Sequence, residues 1–283
     1  MTVSPLPALM LEPLVRAALL EDLGRAGDVT TDAIVPASAQ AETALVARQP
    51  GIVAGLDLAA TAFRLIEPAI EIRIERPDGT RVAPGDRIAT LSGPTRGMLT
   101  AERVALNFLG HLSGVASATA TLVEAVNGHK ARICCTRKTM PGLRAVQKYA
   151  VRVGGGINHR FGLDDAVLIK DNHVAAAGGV REAIEAARAG VGHLVKIEVE
   201  VDSLDQLEEA MATGVDAVLL DNMDVETLRQ AVKLVAGRVK TEASGGVTLE
   251  TVREIALSGV DLISVGALTH SPRNLDSSLE CKD

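Results

Sequence analysis

The spacing of apolar residues changes character along the chain, and each change predicts a different kind of element. Between Leu9 and Asp22 the apolar residues recur at helical spacing. Glu42–Ala47 and the alternating Glu71-Ile72-Arg73-Ile74-Glu75 follow strand periodicity instead. Pro77-Asp78-Gly79 and Pro84-Gly85-Asp86 mark turns before another alternating run, Arg87–Leu91. Short strands joined by tight turns predict a small α+β domain with an antiparallel sheet. From Thr100, a residue suited to an N-cap, Val104, Leu106, Phe108, Leu109, Leu112 and Val115 make a broad apolar helical face. The domains are expected to join on this helix, with residues 1–110 in the first and 111–270 in the second.

Beyond residue 130 short apolar runs alternate with helical segments, the pattern of a parallel α/β sheet or barrel. The runs are Ile133–Cys135, Ala166–Ile169, Val195–Val199, Ala217–Leu220, Lys240–Ala243 and Leu262–Val265. The last five are followed by Lys170, Glu200, Asp221, Ser244 and Gly266, at intervals of 30, 21, 23 and 22 residues. A strand, a helix and two loops fit such intervals, so repeated βα units would bring all five residues to one face. In α/β barrels that face carries the active site. Lys196, Glu198 and Glu200 alternate with Val195, Ile197, Val199 and Val201. A barrel strand with its aliphatic side toward the helices would point the three charges inward, while an edge strand would give them a wet face.

Composition narrows the class. With 283 residues, 47% of them hydrophobic, the chain can bury a substantial core, which excludes disorder. A net charge of −7 repels polyanions, and the only aromatic residues are Phe63, Phe108, Tyr149 and Phe161, so no stacking platform for nucleic acid is expected. Cys134, Cys135 and Cys281 are odd in number and lack ligand spacing, which argues against a disulfide framework or structural zinc. The first residues lack a basic start and are interrupted by Pro5, Pro7 and Pro13. No run reaches about eighteen apolar residues, and a cytoplasmic, soluble protein without a membrane partner is expected.

Charge is also unevenly placed. Residues 130–173 hold nine basic residues against three acidic ones, a local +6 that leaves −13 for the rest of the chain. Such a concentration points to a focused anion site. Arg144, Lys148 and Arg152, at i, i+4 and i+8, fit a solvated helix face. Arg137 and Lys138 directly follow a strand at the expected active face and suit a ligand bearing carboxylates and phosphates. His159 and Arg160, beyond the Gly154-Gly155-Gly156 turn, add donors for an oxyanion. Ser244-Gly245-Gly246 and Gly266-Ala267 each end a strand and enter a helical segment, where Thr248 is a candidate cap. Backbone N–H groups there suit a phosphate, and helix capping without a ligand is the other reading. Glu200 and Asp221 would sit at adjacent strand ends, able to bind ribose hydroxyls, to hold Mg²⁺ through water, or simply to pair with Lys138 or Lys170.

The string CTRKTMPGLRAVQKYAVRVGGGINHRFGLDDAVLIKDNH resembles quinolinate phosphoribosyltransferase, the carboxylating nicotinate-nucleotide pyrophosphorylase family. The resemblance continues through EDLGRAGDVTTDAIVP, TAERVALNFLGHLSG, KIEVEVDSLDQ, AVLLDNM, EASGGVTLE and ISVGALTHS, in order over nearly the whole chain. It implies an α/β fold: an N-terminal α/β sandwich, with the C-terminal tail 271–283 packing on it, and an incomplete parallel α/β barrel of about six strands. It also implies a homodimer in which Arg103 reaches the neighbouring active site. Carried over by position, Arg137, His159, Arg160 and Lys170 would bind the two quinolinate carboxylates, with Lys138 between quinolinate and the sugar phosphates. Glu200 and Asp221 would address the ribose hydroxyls and Mg²⁺. Ser244, Gly245, Gly246, Gly266 and His270 would hold the 5-phosphate, with Thr136 lining the site. The implied reaction joins quinolinate to 5-phosphoribosyl 1-pyrophosphate with loss of CO₂ and pyrophosphate, giving nicotinate mononucleotide for NAD biosynthesis. The Cys134-Cys135 pair receives no role from it.

Three rival functions use the same residues. A related pyrophosphorylase-like protein associated with molybdenum transport shares the fold but takes another acceptor. A barrel aldolase would use Lys138 or Lys170 as a Schiff-base lysine. A non-catalytic sensor would bind the phosphoribosyl donor without turnover.

Overall fold

The computed structural model describes residues 3–281. The chain begins α1 (Ala8–Leu23), α2 (Val29–Ile34), β1 (Gln40–Ala47), β2 (Gly51–Ile52), α3 (Leu56–Ile66), β3 (Glu71–Ile74), β4 (Arg81–Val82), β5 (Arg87–Pro94) and α4 (Thr95–Ala125). It continues β6 (Arg132–Cys134), α5 (Arg144–Val153), β7 (Val167–Ile169), α6 (Asp171–Ala177), α7 (Val180–Gly190), β8 (Ile197–Val201), α8 (Leu204–Thr213) and β9 (Ala217–Asp221). The last elements are α9 (Val225–Val235), β10 (Lys240–Ser244), α10 (Val252–Leu257), β11 (Leu262–Ser264), α11 (Ala267–His270) and β12 (Ser277–Cys281).

Two compact units share these elements. Among the described residues, one contains those up to Ala120, Thr139–Gly155 and those from Leu268, and the other contains Thr121–Lys138 and Gly156–Ala267. The division is interleaved rather than a single cut: it falls inside α4, and α5 belongs to the first unit.

The first unit is built on a four-stranded antiparallel sheet in the order β12-β1-β5-β3. The C-terminal strand β12 pairs with β1, setting Thr43 opposite Cys281 and Leu45 opposite Leu279. Leu11, Val15 and Leu19 of α1, four residues apart, are buried, as are Leu58, Ala62 and Phe63 of α3 and Ile88 and Leu91 of β5. Two expectations fail here. The junction helix begins at Thr95, not Thr100, because Met98 and Ala101 extend its buried face. Gly97, which looks like a break, lies so close to the Glu67 side chain that a Cβ would collide with it. Thr100 is therefore inside α4, where its hydroxyl donates to Asp28 Oδ2 at 3.1 Å. Lys148 is the second failure, being only 2% exposed on α5 beside a fully buried Gln147. The Gln147 amide donates to the Thr269 carbonyl at 2.7 Å and lies 2.9 Å from His111 Nε2, so α5 is a packed helix with polar groups built into its inner face.

The second unit is a six-stranded parallel sheet in the order β6-β11-β10-β9-β8-β7, and each of the six expected runs supplies one strand. The ladder ends at β6 and β7 without pairing them to each other, giving an incomplete α/β barrel. Residue Ile157 adds an isolated parallel bridge to Cys134 at the β6 edge. In β8, Ile197, Val199 and Val201 are buried on one face while Glu198 and Glu200 occupy the other. Lys196 does not join them. It precedes β8, is well exposed, and donates to Asp216 at 2.7 Å.

That pair belongs to a device used twice. Gly-Val-Asp precedes both β9 and β11, and each Asp reaches back to the preceding strand. Asp216 accepts the Ile197 N–H at 2.9 Å, and Asp261 accepts the Thr241 N–H at 3.1 Å together with Lys240 at 3.1 Å and Lys130 at 3.0 Å. Each carboxylate thus satisfies the N–H of a residue at a strand's N-terminal end.

Candidate active site

Parallel strands carry their C-terminal ends to one side, and the second unit has a cavity of about 560 Å³ there. Thr136, Arg137 and Lys138 enter it from the loop after β6, and His159 and Arg160 from the segment before β7. Lys170, Glu200, Asp221 and Ser244 enter from the ends of β7, β8, β9 and β10, with Gly245 and Gly246 just beyond. Eleven residues singled out from the sequence therefore line one cavity. Gly266 does not end its strand, which stops at Ser264; it lies in the turn before α11 and is not among the lining residues. Arg103 and His270 belong to the first unit; both are exposed, and His270 Nδ1 lies 2.6 Å from Ser271 Oγ.

Arg160 is held without a full set of partners. Arg160 donates one N–H to the Ala166 carbonyl at 2.9 Å, but its Nε is buried with no hydrogen-bond partner. Burial first, and then the neighbouring Arg137, push the Arg160 guanidinium below the ordinary arginine range. Two mutually repelling guanidinium groups, one with an unspent donor, make a site that an anion would relax. Thr136 shapes the loop by accepting the Lys138 N–H at 3.0 Å. Lys170 already has a counterion: its Nζ lies 2.6 Å from Glu200 Oε2.

The glycine loop faces this cluster from β10. Gly245 and Gly246 have φ of +96° and +59°, a left-handed pair open to few other residues. At Gly245 a Cβ would strike the Asn222 side chain, so the loop and Asn222 interlock. Asn222 is itself left-handed at φ 53°, its N–H donates to the Ser244 carbonyl at 2.9 Å, and its amide donates to Asp221 Oδ2 at 2.7 Å. Thr248 does not cap a helix as expected. The following helix starts only at Val252, whose N–H donates to the Thr248 carbonyl, because a turn intervenes.

Beneath the cations lies an acidic floor. His159 Nε2 is 2.8 Å from Glu198 Oε2 and 3.7 Å from Glu242 Oε1, and the three groups lie within 4.8 Å of one another. Glu242, only 2% exposed, is pushed up to about 7 by burial and by the nearby Glu198.

Comparison with known proteins matches residues 28–113 to "Quinolinate phosphoribosyl transferase, N-terminal domain" and residues 115–280 to the C-terminal domain of the same family. The chain belongs to the quinolinate phosphoribosyl transferase family. It is 48% identical over 273 residues to the nicotinate-nucleotide pyrophosphorylase [carboxylating] of Mycobacterium leprae, covering 94% of this chain and 95% of that protein. A probable enzyme of the same name from Bacillus subtilis is 44% identical over 272 residues, with 96% and 93% covered. Among solved structures, NadC from Streptococcus pyogenes superposes with a TM-score of 0.95 at 43% identity, covering 99% of this chain and all of that one. The nicotinate-nucleotide pyrophosphorylase from Francisella tularensis gives 0.94 at 39% identity, with 100% and 99% covered.

Asn222, Glu242 and Ser264 also line the cavity, and sequence reasoning missed them. Only Glu242 had a usable signal, a lone acid between Thr241 and Ala243 in an otherwise uncharged strand interior. The adjacent cysteines also acquire contacts. Cys134 donates toward Glu242, and Cys135 Sγ donates to Asn158 Oδ1 at 3.3 Å. For magnesium, Glu200 and Asp221 supply hard oxygen donors at neighbouring strand ends on the cavity wall, a donor set that fits an ion completed by water and phosphate. Among the described residues no helix is long and apolar enough to cross a membrane.

Proposed function

We propose that the protein transfers the phosphoribosyl group of 5-phosphoribosyl 1-pyrophosphate to quinolinate, with loss of CO₂ and pyrophosphate, giving nicotinate mononucleotide in the cytoplasm. The observation that carries this reading is the set of groups gathered in one cavity. Under-partnered Arg160 and its neighbour Arg137 stand on one side, and the left-handed Ser244-Gly245-Gly246 loop on another, with Glu200 and Asp221 on the wall. A dicarboxylate and a phosphorylated sugar need these chemistries together.

Arg137, His159, Arg160 and Lys170 bind the quinolinate carboxylates, and Lys138 lies between that ring and the sugar phosphates. Glu200 and Asp221 hold the ribose hydroxyls, while Ser244, Gly245 and Gly246, with Gly266, take the 5-phosphate. Arg103 of each protomer serves the neighbouring site in a homodimer. The pyridine nitrogen attacks the anomeric carbon as the bond to pyrophosphate breaks, through an oxocarbenium-like transition state. Magnesium held by Glu200 and Asp221 through water would neutralise the leaving group. No covalent nucleophile is required, so positioning and electrostatics supply the catalysis.

The test is incubation of the purified protein with quinolinate, 5-phosphoribosyl 1-pyrophosphate and Mg²⁺, with nicotinate in a parallel reaction. Stoichiometric nucleotide and CO₂ from quinolinate alone are expected. A folded protein that yields neither would refute the acceptor assignment.

A further inference from the structure

The proposed reaction ends with a requirement that the binding roles assigned above leave open. When CO₂ leaves the ring carbon beside the ribosylated nitrogen, the electron pair of the broken C–C bond stays on that carbon. A proton must arrive there to form the product C–H bond. The cavity is otherwise rich in donors that hold charge, namely the guanidinium groups of Arg137 and Arg160 and the ammonium groups of Lys138 and Lys170. A guanidinium does not release its proton, the Lys170 ammonium is held by Glu200 at 2.6 Å, and Lys138 is assigned to the junction of ring and sugar phosphates.

Glu242 is different. Its carboxyl sits on the inward face of β10, in register with Leu219 of β9 and Leu262 of β11, and lines the cavity while being almost fully buried. Oε1 is buried without a hydrogen-bond partner. The groups facing it are Glu198 from β8, His159 from the segment before β7, Cys134 from β6 and Ser264 from β11. Two carboxylates and one imidazole so close together cannot all carry charge at low cost, and the position shielded from water is the one that keeps a proton. Arg160, close enough to interact with Glu198, disfavours a divalent ion at the same place.

We infer that Glu242 is the general acid that protonates the ring carbon after CO₂ departs. This rests on the function proposed above. The Glu242 O–H bond breaks as the carbon's electron pair forms the new C–H bond, leaving a carboxylate beside His159. Solvent restores the proton when the product leaves. The raised carboxyl is consistent with this role, since burial and the nearby Glu198 keep a substantial part of it protonated up to about pH 7.

The experiment compares the wild-type protein with Glu242→Gln, following nicotinate mononucleotide formation in single turnovers from pH 6 to 9. In the wild type the rate should fall as pH rises above about 7. In E242Q the rate at pH 6 should be lower by about 10²–10⁴-fold, the usual contribution of a general acid, and the alkaline fall should vanish. Carbon-13 dioxide in the medium should also exchange into the enzyme-bound ribosylated dicarboxylate in E242Q, because the unprotonated carbon can recapture CO₂ before the nucleotide is released. A variant that keeps its rate within about threefold, or that is slow but keeps the alkaline fall and shows no exchange, overturns the assignment. Should E242Q not fold, the wild-type profile decides, and a flat rate from pH 6 to 9 overturns it. A wild-type protein that makes no nucleotide refutes the proposed function itself, whereas an active wild type with an unaltered E242Q refutes only the role of Glu242.

Discussion

Lys170 and Glu200 meet at 2.6 Å across the ends of β7 and β8, so one cation of the cavity is matched by one of its carboxylates. Lys170 is 46% exposed, and the pair therefore adds little to stability. Its removal should be felt in binding instead. Lys170→Ala should lower kcat/KM for quinolinate by about 10–100-fold, the equivalent of one charge-assisted hydrogen bond of about 1.5–3 kcal/mol. The unfolding free energy should move by less than about 1 kcal/mol. Steady-state kinetics and denaturant titration of the same preparation check both halves.

Arg137 and Arg160 repel each other at the cavity wall. Arg137→Ala should relieve that repulsion, leaving the fold intact and its stability unchanged or slightly higher. The KM for quinolinate should rise by at least about tenfold, since a bidentate partner for a carboxylate is lost. An unchanged KM would remove Arg137 from the acceptor site.

The interlock of Gly245 with Asn222 predicts a combined effect. Gly245→Ala would place a Cβ against Asn222 at a φ of +96°. The strain should cost about 1–3 kcal/mol of stability. It should also raise the KM for 5-phosphoribosyl 1-pyrophosphate more than that for quinolinate, because the loop is assigned to the phosphate. Thermal unfolding and two-substrate kinetics read these separately.

Asp261 tests the framework rather than the site. Burial raises its pKa, but hydrogen bonds from Thr241, Lys130 and Lys240 outweigh that and bring it down to about 2, below the ordinary 3.8. A carboxyl depressed in the folded state stabilises it fully above the ordinary value, and the contribution is lost as pH falls from about 4 toward 2. Asp261→Asn should therefore cost about 1–3 kcal/mol at pH 7 and much less near pH 2. Urea midpoints measured at pH 7, 4 and 3 would show the two proteins converging as acid is added.

Which features are legible in the sequence follows from what each depends on. The six parallel strands and the residues at their ends are readable because strand and helix periodicity is local, and a regular βα repeat brings successive strand ends to one face. Spacing alone therefore groups Arg137, Lys138, Lys170, Glu200, Asp221 and Ser244. Burial of charge is not readable in this way. Lys148 has the i, i+4 spacing of a solvated helix face and yet is buried, because what covers α5 comes from distant parts of the chain. Asn222 becomes part of the wall only through its left-handed backbone and its fit against Gly245. Glu242 becomes the cavity floor only because curvature of the sheet brings β6, β8 and β11 around it. By itself the sequence determined the succession of elements along the chain and the chemistry available at each strand end. Tertiary structure decided which of those groups lose their water, since desolvation depends on neighbours that sequence spacing does not specify.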